Sequence, residues 1–396
     1  MHAVRFLSRW LSERAVIAHR ARCQALLKVV SAALVGSELS LTQLGRSRQG
    51  TAHEKHQIKA VDRLLGNRHL HRERDRVYAA IAQQVLGGIA RPLIVVDWSD
   101  FEPGQRFAML KAAVPLGGRA ITVYERVFAF KRYNSPGAHR EFLESLRSVL
   151  PRHCRPILVT DAGFRGPWFR QVQSYGWDWV GRIRRGINCF DEDGRCCSID
   201  TLYAKATPTT QHLGERTLGR RRGYRCRLYL VRAHQLPLGR PRKPRRAIEP
   251  NGTMYRRLHR QPWLLATSLP HERGAEQRIK RMYEQRMQIE ETFRDLKSHR
   301  AGLGLRYCRS TDIERMQVLL LIGALAMLAL WLVGLCARDL GWTRRFQANT
   351  ERRRTVLSTV FLGRRLLLRH EFVLTERLLY DALRSLRGLL LEALPG

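Results

Sequence analysis

Acidic side chains are scarce. Asp and Glu total 34 against 71 Lys and Arg, a formal net charge of +37 over 396 residues. A chain this basic repels itself unless it meets a polyanion. Nucleic acid is the expected partner, and its binding should weaken steeply as salt replaces released counterions. The cations run along the whole length instead of forming one tail, which favours a protein wrapped by its ligand. Cysteine pairing is also missing. Cys23, Cys154, Cys189, Cys196, Cys197, Cys226, Cys308 and Cys336 include no Cys-x-x-Cys spacing, and no His stands at zinc-site spacing to them. That argues against a zinc module and for unpaired thiols in a reducing compartment. Arg5, Arg9 and Arg14 interrupt the first residues, and no clean apolar core or cleavage site follows them, so no secretory signal is read. There is no internal repeat and no low-complexity tract. No Ser–His–Asp or Cys–His arrangement stands out as a nucleophilic site.

One stretch lacks charge altogether. Val318 to Ala337 is long enough to span a bilayer. Taken alone, it is as good a membrane span as a core helix. Arg315 and Arg338 bracket it evenly, so it carries no orientation signal, and the rest of the chain has no membrane character. A helix apolar all round also suits a deep core position. The expectation is a core helix, no membrane, and a cytoplasmic protein associated with nucleic acid.

At 44% hydrophobic and 27% charged, the chain should pack as a globular protein of two or three domains. Residues 1–88 read as short basic helices at 16–35, 40–46, 58–65 and 74–85. This is an N-terminal helical domain suited to a DNA groove, or more blandly a helical scaffold with solvated basic faces. Residues 89–185 change character. Strands are expected at 93–96, 107–116 and 120–130, the last two joined by a hairpin at Gly117-Gly118-Arg119. A helix at 141–150, a strand at 157–160, a helix at 166–175 opening with Pro167 and a strand at 177–183 follow. Three strands and then alternating helices and strands is a ribonuclease-H-like α/β order. Residues 186–262 read as a β-rich insertion with the turn 219–223 and the basic loop 241–246. The core resumes over 263–340, and 341–396 form a helical C-terminal region with an amphipathic stretch at 374–394.

The chemistry gathers on Tyr283, Arg286, Glu290 and Lys297. Their offsets of 0, 3, 7 and 14 fall on one face of an α-helix. One carboxylate among cations suits a metal ion held against a phosphate backbone. Asp97 follows the apolar run 93–96 and Asp161 follows 157–160, each where a buried strand should end. Asp97, Asp161 and Glu290 together could hold two divalent ions roughly 4 Å apart. Hard oxygen ligands select Mg²⁺ or Mn²⁺. Each aspartate alone is an ordinary turn former or helix cap, and Arg286 with Glu290 alone is an i,i+4 ion pair worth about 0.3 kcal/mol. The combination is what is specific. Glu291 is turned about 100° from Glu290 and reads as a supporting or surface acid, and Asp100 reads as structural.

These residues carry a resemblance. The Tyr283, Arg286, Glu290, Lys297 pattern, Asp97 in Val95-Val96-Asp97-Trp98-Ser99-Asp100 and Asp161 in Thr160-Asp161-Ala162-Gly163-Phe164 resemble the DDE transposases of bacterial insertion sequences. Residues 62–71, 287–298 and 346–350 are similar to the hairpin-forming branch typified by the transposon-ten transposase, over about 40–365. The resemblance implies cut-and-paste transposition by a homodimer on paired terminal inverted repeats. A metal-activated water nicks each end, the freed 3′-hydroxyl forms a hairpin on the opposite strand, a second water reopens it, and the 3′-hydroxyl attacks target DNA. Tyr283, Arg286 and Lys297 would grip a phosphate. A hairpin demands an unstacked terminal base. Trp263 is similar in position to a stacking tryptophan of the family, or it packs as an edge-strand tryptophan. A stand-alone metal-dependent nuclease and a catalytically silent DNA-binding protein of the same fold are the rival readings.

Overall fold

The computed structural model describes every residue except 1, 15, 37, 102–105, 221–222, 233–260, 300–301, 349, 351–354, 370 and 394–396. The expected basic loop 241–246 and the centre of the turn 219–223 lie outside the described residues. The chain compacts as two units. One joins Met1–Pro156 to Arg286–Leu394, and the other holds Ile157–Gln285. Compaction therefore cuts across the sequence segments, because the N-terminal helices share a unit with the first strands and the C-terminal helices.

The first unit begins with α1 (His2–Glu13), α2 (Arg20–Gly36), α3 (Leu41–Arg46), α4 (Glu54–Leu65) and α5 (Arg68–Leu86). The individual helices bounded within 1–88 begin only at residue 16, yet Ala3, Phe6, Leu7, Trp10 and Leu11 recur at helical spacing in α1 and all are buried. Its arginines occupy the remaining positions and mask the pattern. Ser40 caps α3 by accepting from the Gln43 amide, as its sequence indicates. Helix α5 begins six residues earlier than expected because Asn67 caps it, accepting from Leu70 N at 3.0 Å.

Strands β1 (Leu93–Asp100), β2 (Phe107–Leu116) and β3 (Arg119–Ala129) then run antiparallel, with Asp97 opposite Lys111 and Leu116 opposite Arg119. Gly117 and Gly118 turn the hairpin with φ of 54° and 85°, the left-handed pair that a two-residue turn requires. Beneath these strands lies a buried ion pair, Lys111 to Glu125 at 2.8 Å, with the Tyr78 hydroxyl donating to Glu125 at 3.0 Å. Such a pair in a low-dielectric interior needs its hydrogen bonds satisfied, and here α5 supplies one of them. Helix α6 (Pro136–Val149) starts at the Ser135 cap.

The second unit contains β4 (Ile157–Thr160), α7 (Gly166–Ser174), β5 (Asp178–Ile183), β6 (Cys189–Phe190), β7 (Cys196–Cys197), α8 (Ile199–Ala204), β8 (Gln211–Leu218), β9 (Tyr224–Val231), β10 (Trp263–Thr267) and α9 (Ala275–Glu284). Strands β4 and β5 are parallel, joined through α7. The described part of the stretch expected as a β-rich insertion supplies β6 to β9, and it does not stand apart. Its β9 pairs with β10, Val231 opposite Trp263, so its strands continue the sheet that holds β5.

The chain then returns to the first unit with α10 (Met287–Lys297), α11 (Ile313–Asp339), α12 (Thr359–Leu367) and α13 (Glu376–Glu392). Every residue of α11 from Met316 to Ala337 is buried, against α2, α5, α12, α13 and β3. The uncharged run is a core helix. Its crossing with α12 is closed by two glycines: a Cβ at Gly334 would fall 1.9 Å from the Thr359 carbonyl oxygen, and one at Gly363 would fall 2.0 Å from that of Leu330.

Candidate active site

Strand β1 does not end at Asp97. Apolar residues fill Leu93 to Val96, but the chain continues as strand through Asp100 with alternating burial, Trp98 inward and Asp97 and Ser99 half-buried. The expectation of a strand-end aspartate is corrected: pairing with β2 carries the strand past its apolar run. Asp97 Oδ1 accepts from the Trp98 amide at 2.8 Å. The Trp98 indole N–H donates to His139 Nε2 on α6 at 3.1 Å. Burial lowers the His139 pKa to about 4, so the ring is a neutral acceptor.

The four-residue signature does not lie on one helix. Helix α9 ends at Glu284 and α10 begins at Met287. Gln285 and Arg286 keep helical dihedrals, but the Ile289 amide bonds back to the Arg286 carbonyl, at 3.2 Å, a tightened turn where α10 starts anew. The expectation of a single helical face is thereby corrected. Tyr283 belongs to the second unit, and Arg286, Glu290 and Lys297 belong to the first.

Helix α10 has two working faces. One moors it to the β2–β3 hairpin. Gln288 Oε1 accepts from the Gly118 amide at 3.1 Å, Thr292 Oγ1 accepts from the Ala120 amide at 2.7 Å, and Arg119 donates to Asp295 at 2.5 Å. Burial raises the Asp295 pKa, with Arg119 opposing the shift. The other face carries Arg286, Glu290 and Lys297, the residues expected at the site. Arg286 Nη2 donates to Glu290 Oε1 at 2.7 Å and Nη1 donates to Asp97 Oδ2 at 3.1 Å, so one guanidinium joins two of the three acids. It is well shielded from solvent, with 13% of its side chain exposed, and Asp97 is similar at 14%. Lys297 Nζ donates to Asp100 Oδ1 at 2.7 Å. Burial lowers the Lys297 pKa, Asp100 opposes the shift, and the nearby charges of Arg306 and Lys111 add to it. Glu291 pairs with Arg294 at 2.7 Å and with Arg119 at 3.6 Å, on the mooring side.

In the second unit Asp161 directly follows β4 and Oδ1 accepts from the Gly163 amide at 2.8 Å, fixing the turn into α7. Tyr283 is buried. Its ring meets Trp263 edge to face at 5.0 Å, and its hydroxyl is hydrogen-bonded to the Arg182 guanidinium. Trp263 itself is half-buried. Arg182 is a residue that motif spacing does not find. Its one signal is a cation inside the apolar strand Trp179-Val180-Gly181-Arg182-Ile183.

Among the described residues, no three His, Cys, Asp or Glu side chains are grouped closely enough to hold a metal ion. The fit of a divalent ion rests instead on the donor set. Asp97 and Glu290 already share one cation, and both offer hard carboxylate oxygens of the kind that Mg²⁺ and Mn²⁺ take.

The family model described as Transposase DDE domain matches residues 89–327, more than half of the chain. A comparison with curated proteins finds no match. The matched span contains β1, the β4 end and α10, so Asp97, Asp161 and Glu290 all fall inside it. The chain belongs to the DDE transposases, enzymes that break and rejoin DNA phosphodiesters with divalent metal ions.

Proposed function

We propose that this enzyme performs cut-and-paste transposition by the hairpin route, as a homodimer on paired terminal inverted repeats. Its core is read as ribonuclease-H-like, from the order β1, β2, β3, α6, β4, α7, β5. Asp97, Asp161 and Glu290 would hold two divalent ions, Mg²⁺ or Mn²⁺. When bound, such ions ready a water or a 3′-hydroxyl for attack and stabilise the leaving oxygen. The observation that carries this reading is the Arg286 guanidinium joining Asp97 to Glu290, which supports treating the two carboxylates as one cation site. In the reacting complex Arg286 turns from the acids to a phosphate, which its planar fork fits well. Lys297, held at 2.7 Å from Asp100, contributes a second cation on the same face of α10. Tyr283 supports the grip on the phosphate, and Trp263 offers a platform for the base that leaves the stack when the hairpin closes. The exposed Lys55, Lys59 and Arg63 of α4 give the N-terminal helices a cationic face for the duplex.

The test uses the purified chain, Mg²⁺ and a labelled duplex carrying the element's own end, resolved on a denaturing gel. A nick followed by a hairpin is expected. Both should fall by at least about 10²-fold in Glu290→Ala, the scale on which loss of one key electrostatic group acts. Cleavage without a hairpin would assign the chain to a nuclease or to another transposition route.

A further inference from the structure

Four of the eight cysteines belong to the second unit. Strand β6 carries Cys189, β7 carries Cys196 and Cys197, and β9 carries Cys226. In the antiparallel pairing of β6 with β7, Cys189 stands directly opposite Cys197, and Phe190 stands opposite Cys196. Opposed residues share a face of the sheet and neighbours along a strand alternate, so Cys189 and Cys197 point to one side and Cys196 to the other. Opposed Cα atoms in such a ladder lie about 4.5 or 5.5 Å apart. Both spacings fall inside the range of about 4.4–6.8 Å that a disulfide bridges. Cys226 does not compete for the same partner. Strand β8 runs between β6 and β9, which sets Cys226 roughly 9 Å or more from Cys189. The described His, Cys, Asp and Glu side chains form no group of three around a metal position, so the chemistry left to these sulfurs is pairwise. Their surroundings differ. Cys189 is buried completely, and burial pushes its thiol up to about 11, with the nearby Cys197 sulfur adding to the shift. Cys197 is only half-buried, and its thiol donates weakly to the Arg195 carbonyl at 3.8 Å. A reagent from solvent therefore meets Cys197 first, with Cys189 held behind it as an unreacted thiol.

We propose that Cys189 and Cys197 form a reversible redox site, oxidised to a disulfide by a hydroperoxide. The Cys197 thiolate attacks a peroxide oxygen and the O–O bond breaks. An alkoxide or hydroxide leaves and takes up the proton that the thiol lost, and the sulfur becomes a sulfenic acid. The peroxide is reduced by two electrons in this step. The Cys189 sulfur then attacks the Cys197 sulfur, the S–O bond breaks, and the Cys189 proton leaves with the hydroxide as water. Two thiols and one hydroperoxide thus give one disulfide, one alcohol or water, and one further water. A dithiol reductant reverses the change. In a reducing compartment the pair rests as thiols, so a bond here reports oxidation and is no permanent staple. Among the described residues β7 pairs only with β6. Ser198, directly after β7, caps α8 by accepting from the Asp200 amide. A bond to Cys189 fastens this edge strand, and the entry to α8, to the sheet. The site belongs to the second unit and does not depend on the DNA chemistry.

The experiment exposes the full, reduced chain to hydrogen peroxide, blocks the remaining thiols with iodoacetamide and digests it with trypsin for mass spectrometry. Trypsin cuts after Arg185, Arg195 and Lys205, so Cys189 and Cys197 fall in separate peptides, 186–195 and 196–205. The two peptides should appear joined, and dithiothreitol added before blocking should part them again. Cys196→Ser should keep the joined peptide and Cys197→Ser should lose it. Both positions reach solvent, so neither change disturbs the core. Peptides that stay separate in the oxidised wild type, or that stay joined in Cys197→Ser, overturn the proposal. A bond between Cys196 and Cys197 in place of the joined peptide overturns it too.

Discussion

Arg286 is bound to both Asp97 and Glu290, and a phosphate would claim the same guanidinium. Its position makes it a competitor of any other cation at those acids. Arg286→Gln should therefore tighten Mn²⁺ binding, followed by electron paramagnetic resonance, by up to about tenfold, since such ion pairs are worth on the order of 1 kcal/mol. Nicking should fall in the same variant. An unchanged Mn²⁺ affinity would mean that the pair only orders the helix start. His139 makes a second prediction at this scale. Its folded pKa of about 4 lies below the ordinary 6.5 because it is buried. Stability is then fully present above pH 6.5. It is lost as pH falls towards 4, because the unfolded chain takes up a proton that the folded chain refuses. The loss is about 3 kcal/mol at most. Urea midpoints of His139→Gln should show a shallower acid decline than those of the wild type. Equal declines would discount the buried His139 ring as the source.

At the scale of elements, α10 depends on the β2–β3 hairpin as much as on its own helix propensity. Thr292 answers the buried Ala120 amide, and Thr292→Val leaves that amide without an acceptor at a cost of about 1–3 kcal/mol. The same change should slow nicking, because Glu290 rides on the moored helix. Denaturation and kinetics together check it, and a full loss of stability with unaltered turnover would refute the coupling. Much of this element pattern was legible in advance. The Gly117-Gly118 turn, the Ser40 cap and the alternation of strand and helix from β1 to β5 follow from local chemistry. The break at Gln285–Arg286 was not legible, because both residues keep helical dihedrals and nothing in Glu284-Gln285-Arg286-Met287 is a helix breaker. The length of β1 was hidden too. An apolar run marks where a strand is buried on both faces, and pairing, which periodicity does not report, decided that β1 continues to Asp100. Nor could Arg286 be seen to bind Asp97, 189 positions away, since spacing along one helix reports only its neighbours.

For the whole molecule, the net charge of +37 is expected to dominate DNA affinity. The logarithm of the binding constant should fall with the logarithm of salt concentration at a slope steeper than about −5. Lys59→Ala and Arg63→Ala should each lessen the slope by about 1. A shallow slope would mean that the cations serve solubility instead. The order of the chain has a separate consequence. The first unit is written in two pieces, before and after the second. On the ribosome, residues 1–156 emerge without α11, the helix that buries α2, α5 and β3, while 157–285 leave as one uninterrupted body. The unit encoded in the middle can therefore fold first, and the unit encoded at the start must wait for the end of synthesis. A truncated product that stops before Arg286 holds Asp97 in an unfinished fold and lacks Glu290 entirely, so on the proposed roles of these acids an interrupted translation leaves no half-active fragment to nick the genome.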